Sequence, residues 1–222
     1  MGNPCRLDER LWFPDPREAV SIGPAAGLIA VGGDLSVERL LLAYSSGIFP
    51  WSVEPITWWS PDPRGIFEIG QLHLGRSLQR TLRRAPFQIT VDRAFREVIT
   101  ACAAVERAGS WITPAFIEAY TRLHKAGHAH SVECWKDGVL VGGIYGVAIG
   151  GLFAGESMFH TASDASKVAL CHLMDRLMGQ GYRLFDIQMV TETTRRLGAV
   201  SIPREEYLNR LADAVARPVA FD

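Results

Sequence analysis

Asp186 and Gln188 stand two residues apart in Leu184-Phe185-Asp186-Ile187-Gln188-Met189-Val190, an otherwise apolar run that reads as a β-strand. Positions i and i+2 of a strand face the same way, so the carboxylate and the amide are expected on one face of a sheet. Burying such groups costs free energy unless they are paired, and either a mutual hydrogen bond that fixes register or a bound substrate would satisfy them. Glu156, in Gly155-Glu156-Ser157-Met158-Phe159, places a second carboxylate in another apolar run. Upstream, Ile48-Phe49-Pro50-Trp51 and Trp58-Trp59-Ser60-Pro61-Asp62-Pro63-Arg64 gather three tryptophans, three prolines and an arginine. Aromatic planes in proline-stiffened turns can stack on a nucleobase and a neighbouring arginine can meet a phosphate, although a Trp-rich domain seam would use the same residues.

A positive stripe offers a second place for a polyanion. Arg76, Arg80, Arg83 and Arg84 fall at i, i+4, i+7 and i+8, an arc of roughly 100° on a helix. Leu78 and Leu82 lie opposite, and Pro86 ends the segment. The segment holds no acidic residue, whereas an ordinary solvated face mixes both signs. His124, His128 and His130 have no cysteine or carboxylate at ligand spacing, so no metal is expected, and Gly32-Gly33-Asp34 is too short to be a phosphate loop.

These residues need elements to hold them. The first 60 or so positions are rich in Gly and Pro, with one helix at Ser36 to Ser46, capped by Ser36 and stopped by Gly47. Beyond them the pattern predicts a strand at Phe87–Val91, helices at Arg93–Ala108 and Pro114–Lys125, and a meander of His130–Trp135, Val139–Ile149 and Leu152–Phe159. A helix at Asp164–Met178, stopped by Gly179, precedes the strand that carries Asp186, and a helix at Glu205–Ala216 closes the chain. Ser166, Leu170, Leu173, Met174 and Leu177 form a helical stripe that is either plain core or, with Phe153, Met158 and Phe185, the lining of an apolar side-chain pocket.

Three antiparallel strands, a helix and a further strand is the order of the N-acetyltransferase superfamily core. The fold expected is therefore α/β with a mixed sheet: a small N-terminal domain at 1–62 and an acetyltransferase-like (GNAT) domain at 63–222. Coenzyme A fits poorly, because the junction His160-Thr161-Ala162-Ser163-Asp164-Ala165-Ser166-Lys167 lacks the glycines of a pyrophosphate loop.

Composition agrees with a cytoplasmic globular protein and excludes other classes. Hydrophobic residues make up 48% and charged residues 21%, and no apolar run reaches the roughly 20 residues of a membrane span. Four scattered cysteines spell neither a zinc site nor a disulfide framework. A net charge of -1 argues against a general nucleic-acid coat, so any polyanion contact must be local.

The motifs together resemble those of the leucyl/phenylalanyl-tRNA-protein transferase family. The likeness runs from Gly27-Leu28-Ile29-Ala30-Val31-Gly32-Gly33-Asp34-Leu35 through the two tryptophan motifs, Trp111-Ile112-Thr113, His128-Ala129-His130-Ser131, Gly155-Glu156-Ser157-Met158-Phe159 and Asp186-Ile187-Gln188, to Gly198-Ala199-Val200-Ser201-Ile202-Pro203-Arg204. It implies a monomer that transfers leucine or phenylalanine, and less readily methionine, from aminoacyl-tRNA to proteins beginning with Lys or Arg, marking them for degradation. The donor ester is already activated, so no cofactor is implied. By the same resemblance Asp186 orients or deprotonates the attacking amine, Gln188 positions Asp186 and the ester or its oxyanion, and Glu156 holds the terminal adenosine or the amine. Trp51 and Trp111 match the residues that contact the adenosine. Ile144, Phe153, Met158, Leu170, Leu173, Leu177 and Phe185 match the amino-acid pocket, with aliphatic residues at 144, 173 and 177 where Met or Phe is familiar. Arg76, Arg80, Arg83 and Arg84 match the tRNA-binding cluster. The rival readings are a tRNA-dependent aminoacyltransferase acting on a peptidoglycan precursor and an RNA-binding module without catalysis.

Overall fold

The computed structural model describes residues 4–105 and 111–221, arranged around two sheets. The first sheet holds β1 (Cys5–Leu7), β2 (Leu28–Gly32), β3 (Phe49–Val53) and β4 (Ile56–Trp59) in the spatial order β1-β2-β4-β3, and helix α1 (Val37–Ser45) lies between its second and third strands in sequence. The second holds β5 (Arg64–Phe67), β6 (Gln88–Val91), β7 (Ala129–Lys136), β8 (Val139–Ile149), β9 (Leu152–His160), β10 (Leu184–Gln188) and β11 (Val200–Ile202) in the order β11-β5-β10-β9-β8-β7-β6. Only β10 on β9 pairs parallel in this larger sheet, so it is mixed. Among the described residues, six more α-helices follow α1: α2 (Arg76–Arg84), α3 (Phe95–Ala103), α4 (Pro114–Lys125), α5 (Ala165–Gln180), α6 (Glu192–Arg196) and α7 (Arg204–Val215).

Local chemistry explains the elements that matter. Asp137 and Gly138 both take positive φ, 52° and 76°, as the tight turn between β7 and β8 requires. Alternate residues of β8 then serve opposite faces: Tyr145 and Val147 join the cluster with α3 and α4, while Ile144 and Ala148 join the cluster with α5. A third cluster seats Tyr207, Leu208 and Leu211 of α7 on Ile66, Leu184 and Ile202. Leu40 and Tyr44 of α1 and Trp58 of β4 are buried in the same cluster as Phe116 and Tyr120 of α4, so the two sheets share one core.

The meander, the helix after it and the strand after that stand in the order expected of an acetyltransferase-like core. Some expectations are corrected. Gly179 does not stop α5, which runs two residues further to a left-handed Gly181 (φ 84°) whose N–H bonds back to Leu177. The predicted helix at 93–108 is α3, shorter at both ends, and residues 106–108 of that prediction lie outside the described residues. The strands of the first sheet were hidden in a Gly- and Pro-rich stretch, where turn residues mask segments of three to five residues. Among the described residues, no helix is long and apolar enough to cross a membrane.

Candidate active site

Strands β9 and β10 pair in parallel only from Leu152 to Ala154 against Leu184 to Asp186, and both become irregular just beyond. On β9 the register against β8 jumps from Ser157 to Gly155, leaving Glu156 as the extra residue of a bulge. On β10 the register against β5 jumps from Asp186 to Gln188, leaving Ile187 extra, and Gln188 itself takes φ 57°. A positive φ is unusual for a side chain of this kind and has to be held by its surroundings. Gly65 makes it possible: a Cβ there would sit 2.7 Å from the Met189 carbonyl carbon and 2.8 Å from the Val190 nitrogen.

The bulge overturns the expected geometry of the polar pair. Asp186 and Gln188 do not face the same way as neighbours on a regular strand, and the Gln188 side chain does not position Asp186. The fully buried Asp186 carboxylate is saturated by others. Arg64 meets it with two parallel bonds, Nε to Oδ1 at 2.8 Å and Nη2 to Oδ2 at 2.7 Å, and the Tyr207 hydroxyl and Gln188 N–H add bonds of 3.0 and 2.9 Å. This is the bidentate geometry that makes arginine–carboxylate pairs strong. Burial works against the charge of Arg64, but the Asp186 carboxylate outweighs it and raises the guanidinium above its ordinary range. Arg64 also donates to the Gly47 carbonyl at 3.0 Å and lies over the rings of Phe49 and Tyr207. The arginine that the sequence offered as a phosphate ligand is therefore core, as is Trp58, whose Nε1 donates to the Gly32 carbonyl at 2.8 Å.

Gln188 reaches Glu156 instead, at 3.4 Å. Around Glu156 stand two buried tyrosines that the sequence gave no reason to single out: Tyr44 from α1 donates to Oε1 at 2.8 Å, Tyr120 from α4 reaches Oε2 at 3.4 Å, and the two hydroxyls touch each other. Burial pushes the Glu156 carboxyl up to about 8, with the Tyr44 bond opposing and the Asp186 charge reinforcing the rise. Burial and the nearby carboxylate also raise both phenols well above their usual value, so they remain proton donors.

Trp51 and Trp111 share one cavity. With Val53, Glu54, Thr113 and Pro114 they line a cavity of about 760 Å³. Each wall leads inward through aromatic contacts. Trp51 packs 6.0 Å from Phe49, which lies under Arg64; Trp111 packs edge-on against Phe116, which neighbours Tyr120. Ile144, Phe153, Leu170, Leu173, Leu177 and Phe185 are buried in one cluster between α5 and the sheet, with Met158 partly buried against it. The four arginines of α2 are exposed and none has an ion-pair partner among the described residues. Buried Leu78 and the Thr81 bond to Asp164 at 3.2 Å seat that helix beside the start of α5. The histidines are taken up elsewhere, His130 on Asp92 at 2.7 Å and His124 on the Ala129 carbonyl at 2.7 Å.

Ser60-Pro61-Asp62 has a structural use. Asp62 caps the first N–H of α7 at 3.0 Å, and buried Arg204 donates to the Ser60 carbonyl at 2.8 Å, so α7 is fixed where Tyr207 can reach Asp186. Arg64 and Tyr207 were legible only as a charge and an aromatic; nothing in their spacing pointed to Asp186.

Comparison with known proteins connects this arrangement to a family. The family model for leucyl/phenylalanyl-tRNA protein transferase matches residues 66–212, and that for the N-terminal domain of the same proteins matches residues 33–62. A leucyl/phenylalanyl-tRNA–protein transferase of Pseudoalteromonas atlantica is 50% identical over 218 residues, 96% of this chain and 92% of the relative. One from Syntrophobacter fumaroxidans is 51% identical over 219 residues, again 96% and 92%. Among solved structures, a GCN5-related N-acetyltransferase from Kribbella flavida aligns at 16% identity and a TM-score of 0.41, covering 72% of this chain and 59% of its own. The polar centre where β9 and β10 part is thus set in a chain that, nearly end to end, belongs to the leucyl/phenylalanyl-tRNA protein transferase family.

Proposed function

We propose that this protein transfers leucine or phenylalanine, and less readily methionine, from aminoacyl-tRNA to the α-amino group of proteins beginning with Lys or Arg, marking them for degradation. It acts in the cytoplasm as a monomer, with a catalytic unit of residues 63–222 and a small unit of residues 1–62 that supplies Trp51 and Tyr44. Family membership supports the aminoacyl transfer. The observation that supports the site is a cavity walled by Trp51 and Trp111 that Phe116 and Tyr120 link to the Glu156–Gln188 pair, on the same two strands, β9 and β10, that contribute Phe153, Met158 and Phe185 to the apolar cluster under α5.

In this reading the terminal adenosine stacks between the indoles, the amino-acid side chain enters the α5 cluster, and Gln188 flanks the reacting ester. Asp186, occupied by Arg64 and Tyr207, is a positioning residue that holds the β10 bulge rather than a free base. No dedicated base is required to start the reaction. An α-amino group with a reference pKa near 7.7–8.0 is about one-tenth unprotonated at pH 7, so the site's task is to hold that form against the ester away from water.

The decisive experiment mixes purified protein with labelled leucyl-tRNA and two acceptors that differ only in a first residue of Lys or Ala. Label on the Lys acceptor alone is expected; no transfer to either sinks the reading, and label on a peptidoglycan precursor instead would favour the cell-wall relative. Trp51→Ala and Trp111→Ala are each expected to weaken donor binding by about 1–3 kcal/mol, measured as a rise in KM for leucyl-tRNA. Arg83→Ala with Arg84→Ala should weaken tRNA binding and flatten its salt dependence by about one unit of slope per arginine. An unchanged slope would reduce the stripe to ordinary surface.

A further inference from the structure

The Gln188 amide has two possible orientations, and its surroundings accept only one. One end of the amide lies 3.1 Å from both the Ile187 and the Gly155 carbonyl oxygens. Both of these groups only accept, so the end facing them must be the NH2. The amide oxygen then points at Glu156 Oε1, 3.4 Å away. A carboxylate there would repel it, whereas a carboxyl O–H would donate to it. Turning the amide over does not help an ionised Glu156, because the amide oxygen would then face two carbonyls.

We propose that Glu156 rests as a neutral acid whose proton latches Gln188, closing a one-way hydrogen-bond chain from Tyr120 to Tyr44 to Glu156 to the Gln188 amide oxygen, with the Gln188 NH2 on the Ile187 and Gly155 carbonyls. Every proton in this chain is used once. Because Tyr44 gives its proton to Glu156 Oε1 at 2.8 Å, the short Tyr120–Tyr44 contact takes the Tyr120 proton in preference to the longer 3.4 Å approach of that hydroxyl to Oε2, and Glu156 gives to Gln188. When the carboxyl proton leaves to solvent, no orientation of Gln188 satisfies all its neighbours, and the amide is released. The groups that face Glu156 come from every element packed around it: Tyr44 from α1, Tyr120 from α4, Gln188 with Asp186 behind it from β10, and Arg64 from β5. Burial supports the neutral form most strongly, placing the carboxyl near 8. Glu156, Tyr44 and Tyr120 are thereby positioning residues for Gln188. The consequence for transfer rests on the function proposed above; the chain itself does not.

The test follows the side-chain NH2 resonances of Gln188 in the ¹⁵N-labelled full chain between pH 6 and 10, assigned by their loss in Gln188→Ala. In the parent protein they should shift with a single midpoint near 8. Glu156→Gln should abolish that transition, since its amide NH2 takes over as a donor that does not ionise. Tyr44→Phe removes a bond that favours the charged carboxylate and should move the midpoint upward. Resonances that stay flat in the parent, a midpoint that persists in Glu156→Gln, or one that falls in Tyr44→Phe would each overturn the proposal. Transfer to the Lys acceptor, measured on the same samples, separates the two readings: a titrating Gln188 without transfer sinks the function and leaves the latch, and transfer with a flat Gln188 sinks the latch alone.

Discussion

Replacing Arg64 by alanine is expected to destabilise the protein by about 3–5 kcal/mol, because it strands a buried carboxylate. Asp186 would lose its two bidentate bonds and keep only the Tyr207 hydroxyl and one backbone N–H. A carboxylate left this way must either pull in water or take up a proton, and both disturb the bulge that presents Gln188. Asp186→Ala should cost a similar amount by leaving the guanidinium unpaired, and both variants should lose transfer. The double change Arg64→Met with Asp186→Leu should cost clearly less than the sum of the single changes, since neither charge is then left alone. Urea midpoints for the three variants check this. Equal midpoints for Arg64→Ala and the parent would show that the pair contributes nothing.

The second large effect is a dependence of stability on pH that Glu156 imposes. Its carboxyl is raised from 4.5 to about 8 in the folded chain. Between those values the folded protein holds a proton that the unfolded chain has released, so stability must fall as pH rises. The contribution is fully present below 4.5 and is lost as pH climbs through 8, about 3–5 kcal/mol in total for a shift of that size. Glu156→Gln removes the titrating group. The variant should match the parent at pH 4 and exceed it at pH 9, where the parent carries a charged carboxylate between two tyrosines. Unfolding midpoints at these two pH values decide the matter: a parallel pair of curves would place the Glu156 ionisation near its ordinary value.

Much of the larger sheet was legible because its signals are local. Asp137-Gly138 dictated a hairpin, alternation dictated β7, and the apolar stripe from Ser166 to Leu177 dictated the buried face of α5. Ser36 caps the helix it is expected to cap. What failed was whatever depended on departure from regularity. A period of two puts Asp186 and Gln188 on one face, and one extra residue at Ile187 breaks that period without leaving a trace in residue type. The partners of the buried charges were equally silent. Arg64 and Tyr207 lie 122 and 21 residues from Asp186, Tyr44 lies 112 from Glu156, and only the tertiary structure brings them together. The tryptophan motif looks like one unit in the sequence, yet it splits three ways: Trp51 lines a cavity, Trp58 fills the core, and Asp62 caps a helix.

Tyr44 belongs at once to the hydrophobic interior and to the chemistry, since its ring sits in the cluster shared by both sheets while its hydroxyl holds Glu156. The N-terminal segment is for that reason no detachable accessory. A graft that exchanged it for another module of equal size would have to restore a phenol to within a hydrogen bond of β9.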